Sequence, residues 1–77
     1  MYSQSHTLDI GGLYMFGGYF IEFEHVIVRV LGRLKSGAYR FQILIGNDSL
    51  PTGKLFSINF NYPTRKKMYD SLIKLHK

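Results

Sequence analysis

The alternation that decides the fold is Tyr39-Arg40-Phe41-Gln42-Ile43-Leu44-Ile45, residues 39–45. Every odd-numbered position in it is aromatic or aliphatic, and the even-numbered positions begin with Arg40 and Gln42. Because successive side chains of a strand point to opposite faces of a sheet, this pattern predicts a strand with one buried face. The run from Phe56 to Phe60 repeats the pattern, and the turn-rich residues 46–54 connect the two strands.

Further strands are predicted before residue 39. Residues 11–20 hold an aromatic stretch between two diglycines, which indicates a short strand flanked by turns. Residues 19–23 place their apolar side chains at odd positions, whereas residues 26–30 place valines at even positions. A continuous strand cannot change parity in this way, so we expect a tight turn or a β-bulge near Glu24-His25.

A helix is predicted from about Pro63 to about Leu75. Proline fixes φ near the helical value and lacks an N–H, which suits the first helical position. The residues that follow form an apolar stripe at i, i+4 and i+7, widened by two neighbours: Met68, Leu72 and Leu75, with Tyr69 and Ile73.

These elements predict one α+β domain spanning residues 1–77, with residues 1–9 as a flexible N-terminal segment. A chain this short buries only about 60% of its unfolded surface, which leaves one core. The expected fold is an antiparallel β-meander of four to five strands, with one C-terminal helix packed on one face. The predicted core cluster is Phe41, Ile43, Phe56, Ile58 and Leu72.

Charge is distributed unevenly along the chain. The net charge is +5, yet residues 1–28 contain no Lys or Arg, and all 10 basic residues lie from Arg29 onward, against only Asp48 and Asp70. Such a basic region attracts an anionic partner if its charges share a face. The alternative is a solvating surface that keeps a small aromatic protein from aggregating.

The sequence indicates no enzyme and no cofactor. The three histidines, His6, His25 and His76, lie in a tail, a turn and a chain end, and the chain has no Cys to complete a metal site. The five carboxylates are sparse, and no serine has a catalytic motif around it. The chain shows no signal peptide and no apolar run that could span a bilayer, and we expect a cytoplasmic protein without membrane contact.

The sequence therefore predicts a binding surface, with nucleic acid in the form of single-stranded DNA or RNA as the first candidate partner. Cations neutralise phosphates, amides hydrogen-bond to base edges, and aromatic rings stack on unpaired bases. By parity, three aromatic residues remain for such exposed contacts with a partner: Tyr2, Tyr14 and Phe20. The predicted phosphate-binding residues on the sheet, its turns and the rim are Arg29, Arg33, Lys35, Arg40, Lys54, Arg65, Lys66 and Lys67.

The stretch from Val26 to Leu75, with Pro51-Thr52-Gly53-Lys54 before the last strand, resembles the PC4 family of transcriptional coactivators. The resemblance implies single-stranded DNA binding, a curved sheet and a dimer built through the C-terminal helix. This chain departs from that family in lacking an Arg after Ile45 and a Trp in the helix. A small pleckstrin-homology-like fold with a closing helix fits the layout nearly as well.

The competing prediction is a non-enzymatic protein-binding inhibitor or adaptor, for example a small phage or mobile-element protein that blocks a host protein complex. The chain contains 6 Tyr, and Tyr and Arg are the residues enriched at interface hot spots. We also expect a homodimer, because the sheet leaves open edges and the apolar helix stripe is wide enough to contact a partner helix.

Overall fold

A computed structural model describes residues 7–17 and 21–75. It contains one antiparallel sheet with strand order β4-β3-β2-β1-β5 and one short helix near the C-terminus, which confirms the predicted α+β meander. The strands are β1 (Leu13–Phe16), β2 (Ile27–Arg33), β3 (Tyr39–Ile45), β4 (Leu55–Ile58) and β5 (Leu72–Leu75), and the helix is α1 (Lys66–Asp70).

Strands β2 and β3 form the centre of the sheet. Val28 lies opposite Ile43 and Val30 lies opposite Phe41, and all four side chains are fully buried. The hairpin between the strands closes where the Gly37 N–H donates to the carbonyl of Leu34 (2.9 Å). Gly37 has a φ of 95°, a conformation that a residue without a Cβ adopts at little cost.

The core lies on one face of the sheet, which we call the covered face. Of the predicted core residues, Phe41, Ile43 and Ile58 are buried in one cluster, and Phe56 and Leu72 are partly buried against it. Aromatic rings connect the cluster: the Phe41 and Phe56 rings stack with their centroids 5.2 Å apart. Met68 and Tyr69 pack on the cluster from α1, while Leu8, Phe23 and Phe60 enter it from the connecting segments.

The C-terminal helix is shorter than predicted. A 3-10 turn over Pro63–Arg65 leads into α1, and α1 ends at Asp70 rather than near Leu75. Residues 72–75 instead form β5, which pairs with β1 so that Leu72 lies opposite Phe16 and Leu75 lies opposite Leu13. By pairing with β1, these four residues form ladder hydrogen bonds with the edge of β1 that would otherwise be open. A longer helix would leave that edge unpaired.

The strand predicted over residues 19–23 is wrong within its described part. Ile21–Phe23 forms a 3-10 turn, with Ile21 81% exposed and Phe23 in the core. Tyr19 lies outside the described residues. The tight turn predicted near Glu24-His25 is confirmed: the Val26 N–H donates to the Phe23 carbonyl (3.0 Å), and His25 has a φ of 61°.

The segment before β1 contributes to the core from Leu8 onward. The Leu8 N–H donates to the Tyr39 hydroxyl oxygen (2.9 Å), and the Asp9 N–H donates to the Tyr14 hydroxyl oxygen (3.0 Å). Leu8 is buried, so the predicted flexible segment of residues 1–9 includes a core residue. Its residues 1–6 lie outside the described residues.

Asn47 connects two loops. Its side-chain amide donates to the carbonyls of Glu22 (3.2 Å) and Glu24 (2.9 Å), and its side-chain oxygen accepts from the N–H groups of Ser49 (2.9 Å) and Leu50 (2.8 Å). The β3–β4 loop is thereby attached to the turn that precedes β2.

Replacing Ile43 with Ala is expected to lower the free energy of unfolding by about 2–5 kcal/mol, because the substitution leaves a cavity in a fully buried site. The matched control is Ile73→Ala, at a side chain that is 49% exposed, for which we expect a loss below about 1 kcal/mol. Denaturant titration followed by circular dichroism measures both. Equal losses would show that the assignment of the two faces is wrong.

Replacing Asn47 with Ala removes four hydrogen bonds and should destabilise the protein by about 1–3 kcal/mol. Amide exchange should accelerate at Ser49 and Leu50 in particular. Asp48→Ala, at an exposed neighbouring side chain, is the control and should change stability by less than about 0.5 kcal/mol. Unchanged exchange in the Asn47 variant would contradict the role of this side chain.

Candidate binding face

The face of the sheet opposite the core carries a second, uncovered set of side chains, which we call the open face. Strand register places nine of its residues in two rows that run across the sheet, and Arg40 and Ser57 lie opposite each other beyond the second row. The first row is Ile45, Ile27, Met15 and Ile73, and the second is Leu55, Gln42, Arg29, Leu13 and Leu75.

Both rows are mainly apolar, and part of that apolar surface contacts water. Ile45 is 55% exposed, Ile73 49% and Leu55 48%. Isolated exposed apolar residues are common on proteins, but contiguous ones on one face indicate a contact surface. The open face is therefore mainly apolar along its two rows.

Among residues 7–17 and 21–75, the cations of the open face are two arginines. Arg29 lies in the second row between Leu13 and Gln42, and Arg40 lies opposite Ser57 and Gly32. Both side chains are exposed. None of the five acidic residues lies in a strand, so these guanidinium groups have no carboxylate beside them in the sheet.

Arg33, one of the predicted phosphate-binding residues, is not on the open face. A register shift between Val30 and Gly32 pairs Arg33 with Tyr39, whose side chain belongs to the core. The Arg33 guanidinium carbon lies 4.9 Å from the centroid of the Tyr39 ring, in a cation–π geometry. This register shift therefore places Arg33, a predicted phosphate contact, at the end of the covered face.

The other predicted cations are spread over the molecule. Lys35 lies in the β2–β3 turn, and Lys54 directly precedes β4. The run Arg65-Lys66-Lys67 belongs to the helical segment on the covered side, where the Lys66 ammonium pairs with the Asp70 carboxylate at 2.9 Å. The sheet and the helix therefore present their positive charges in different directions.

Aromatic stacking groups are also fewer than predicted. Tyr14 is only 6% exposed, because β1 directs it into the core, so its prediction as an exposed partner contact is wrong. Tyr2 and Phe20 lie outside the described residues. Within residues 7–17 and 21–75, the one aromatic side chain classed as exposed is Tyr62, which precedes the helical segment and belongs to no strand.

Sequence reasoning missed the open-face residues of β1 and β5, namely Leu13, Met15, Ile73 and Leu75. Assigning the C-terminal residues to a helix put Ile73 and Leu75 on a helix stripe. The run Leu72-Ile73-Lys74-Leu75 gave no signal for the open face, because its charged residue, Lys74, lies on the covered face opposite Tyr14 and its apolar Ile73 and Leu75 lie on the open face. The stripe that was expected to mediate a helix-based dimer is consequently divided between α1 and β5.

A cleft of about 320 Å³ lies on the covered side, with Tyr14, Tyr69 and Lys74 in its lining. Burial raises the pKa of the Tyr69 phenol, and the hydrogen bond to Asp9 raises the pKa of the Lys74 ammonium. Tyr69 and Lys74 therefore stay protonated at neutral pH and do not provide a nucleophile there.

Among the described residues, no group of three or more His, Asp or Glu side chains is placed to hold a metal ion. The helices of residues 7–17 and 21–75 include none with the length and apolar character needed to cross a membrane.

Compared with known protein families, curated proteins and solved structures, the chain matches none of them.

Proposed function

We propose that this protein is a non-enzymatic binding module whose open face binds another protein, as an adaptor or an inhibitor. The observation that carries the proposal is the pair of apolar rows with Ile45, Ile73 and Leu55 about half exposed, beside two arginines that have no carboxylate in the sheet.

The absence of Cys suits a reducing compartment, and we propose that the protein lies in the cytoplasm.

The two kinds of side chain on the open face favour a particular partner chemistry. Burying apolar surface contributes about 25 cal/mol per Å², so the rows supply affinity for a partner with a complementary apolar strip. Covering Arg29 without a partner charge would cost free energy, because a buried unpaired charge loses its hydration. The expected partner surface is therefore apolar at its centre and carries carboxylates that reach Arg29 and Arg40.

Replacing Ile73 with Asp should weaken partner binding by at least about tenfold, because the substitution places a charge in the first apolar row. The matched control is Ile21→Asp, at a side chain that is 81% exposed on the 3-10 turn and outside the open face. Tagged parent and variants would capture proteins from a lysate of the source cells, with quantitation by mass spectrometry. The dissociation constant would then be measured by calorimetry with the purified partner.

A partner retained by the Ile21 variant and lost by the Ile73 variant supports the proposal. Equal capture by both variants would contradict it. Circular dichroism of both variants establishes that any loss is one of contact rather than of folding.

A second candidate function is binding to single-stranded nucleic acid, which Arg29 and Arg40 favour because both are exposed and lack carboxylate neighbours in the sheet. It has less support than the protein partner, since the cations are spread over several directions and the open face lacks an aromatic residue among its paired positions. The PC4-like resemblance stays a prediction, and it belongs to this candidate.

If nucleic acid is the partner, the double substitution Arg29→Ala and Arg40→Ala should flatten the salt dependence of oligonucleotide binding. Each lost phosphate contact lowers the log-log slope by about 0.7 for single strands. The control, Arg65→Ala with Lys67→Ala, removes the same charge from the helical side and should change the slope less. Fluorescence titration with a labelled oligothymidine measures both variants, and a parent that does not bind at moderate salt rejects this candidate.

A further inference from the structure

The two edges of the sheet differ in chemistry. The β5 edge carries Lys74, whose ammonium pairs with the Asp9 carboxylate. The β4 edge, Leu55–Ile58, contains no charged residue and no proline. In the described part of the chain no strand pairs with the outer side of β4. A charged residue protects an edge from pairing with another strand, whereas a bare edge offers unpaired N–H and C=O groups.

Register identifies which groups of β4 point outward. The Ile43 N–H donates to the Lys54 carbonyl (2.9 Å), and Phe56 lies opposite Phe41. Alternate residues of an antiparallel strand direct their backbone groups toward the same neighbour. The Lys54 carbonyl and the backbone groups of Phe56 therefore point toward β3, and Leu55 and Ser57 direct their backbone groups away from the sheet.

We propose that β4 pairs with β4 of a second copy of this chain, antiparallel and about a two-fold axis. In this arrangement Phe56 faces the partner's Phe56, and Leu55 exchanges backbone hydrogen bonds with the partner's Ser57. The two sheets then form one continuous sheet. This inference goes beyond the proposed function and does not depend on it.

Side-chain chemistry favours a second copy as the occupant of this edge. Phe56 is only partly buried, although its ring already stacks on Phe41 at 5.2 Å and lies 5.9 Å from the Phe23 ring. A second Phe56 extends this aromatic series across the axis and covers the exposed part of the ring.

Charge is compatible with the same register. Lys54 lies opposite the partner's Ile58, so no cation faces a cation across the new pair. An interface about a two-fold axis requires a surface that complements itself, and the uncharged β4 edge meets that condition. On the other side of the strand, Leu55 and the partner's Ser57 join the two open faces, which places two copies of Arg40 on one extended surface.

Sedimentation equilibrium of the parent tests the proposal, with a dimer expected at about 100 μM. The variant Ser57→Lys places an ammonium group on the β4 edge and should weaken dimerisation by at least about tenfold. Its matched control is Ser49→Lys, with the same charge change in the exposed β3–β4 loop, which should dimerise like the parent. A monomeric parent at that concentration, or a Ser57 variant as dimeric as its control, would overturn the proposal.

Cross-linking tests the register, since the chain has no native Cys. Residues facing each other in a non-hydrogen-bonded pair have Cα atoms about 4.5 Å apart, within reach of a disulfide. Phe56→Cys should therefore form a disulfide-linked dimer on mild oxidation. A mixture of Leu55→Cys and Ser57→Cys, which leaves Phe56 in place, should link the two variants to each other. Self-linking of the Ser57 variant in preference to both would overturn the register.

Discussion

The structure depends on the pairing of β2 with β3, in which Val28 and Val30 face Ile43 and Phe41. These side chains are fully buried, so a shift of this pair by one residue would turn the core residues of one strand toward water. The resulting loss of apolar burial would exceed the stability of a domain of this size. The face occupied by the core, and hence the face left open, is fixed by this one ladder.

Register shifts at both ends of that ladder decide which charges the open face presents. Between Val30 and Gly32 the shift keeps Arg29 and Arg40 on the open face and sends Arg33 to the Tyr39 ring. At the other end a shift after Ile27 places Ile45 beside it and extends the apolar row. A regular ladder of the same sequence would have put three arginines on one face, a more suitable surface for phosphates.

Sequence reasoning succeeded where a single period dominates and failed where two periods fit. In residues 39–45 only the two-residue period accounts for the pattern, and the strand, its neighbours and its buried side as far as Ile43 followed. Ile45, at the end of the same alternation, lies on the open face because of the register shift after Ile27. Ile73 and Leu75 fit both a helical stripe and a two-residue strand period over a short span. Residues 72–75 form a strand because they pair with the free edge of β1. Local propensity does not predict such a tertiary contact. For this reason Ile73 and Leu75 of the open face were missed, together with Leu13 and Met15 of β1, with which they pair.

The two proposals assign different tasks to the parts of the sheet that the core does not use. An exposed apolar face beside a bare edge exposes a small protein to aggregation unless both are covered in specific ways. Lys74, paired with Asp9, protects the β5 edge, and the same strand carries Ile73 and Leu75 on the open face. Pairing of β4 with its own copy would remove the remaining bare edge and leave the open face available. A partner that supplies carboxylates to Arg29 and Arg40 would then cover that face selectively, because an apolar surface without those charges would leave the arginines unpaired.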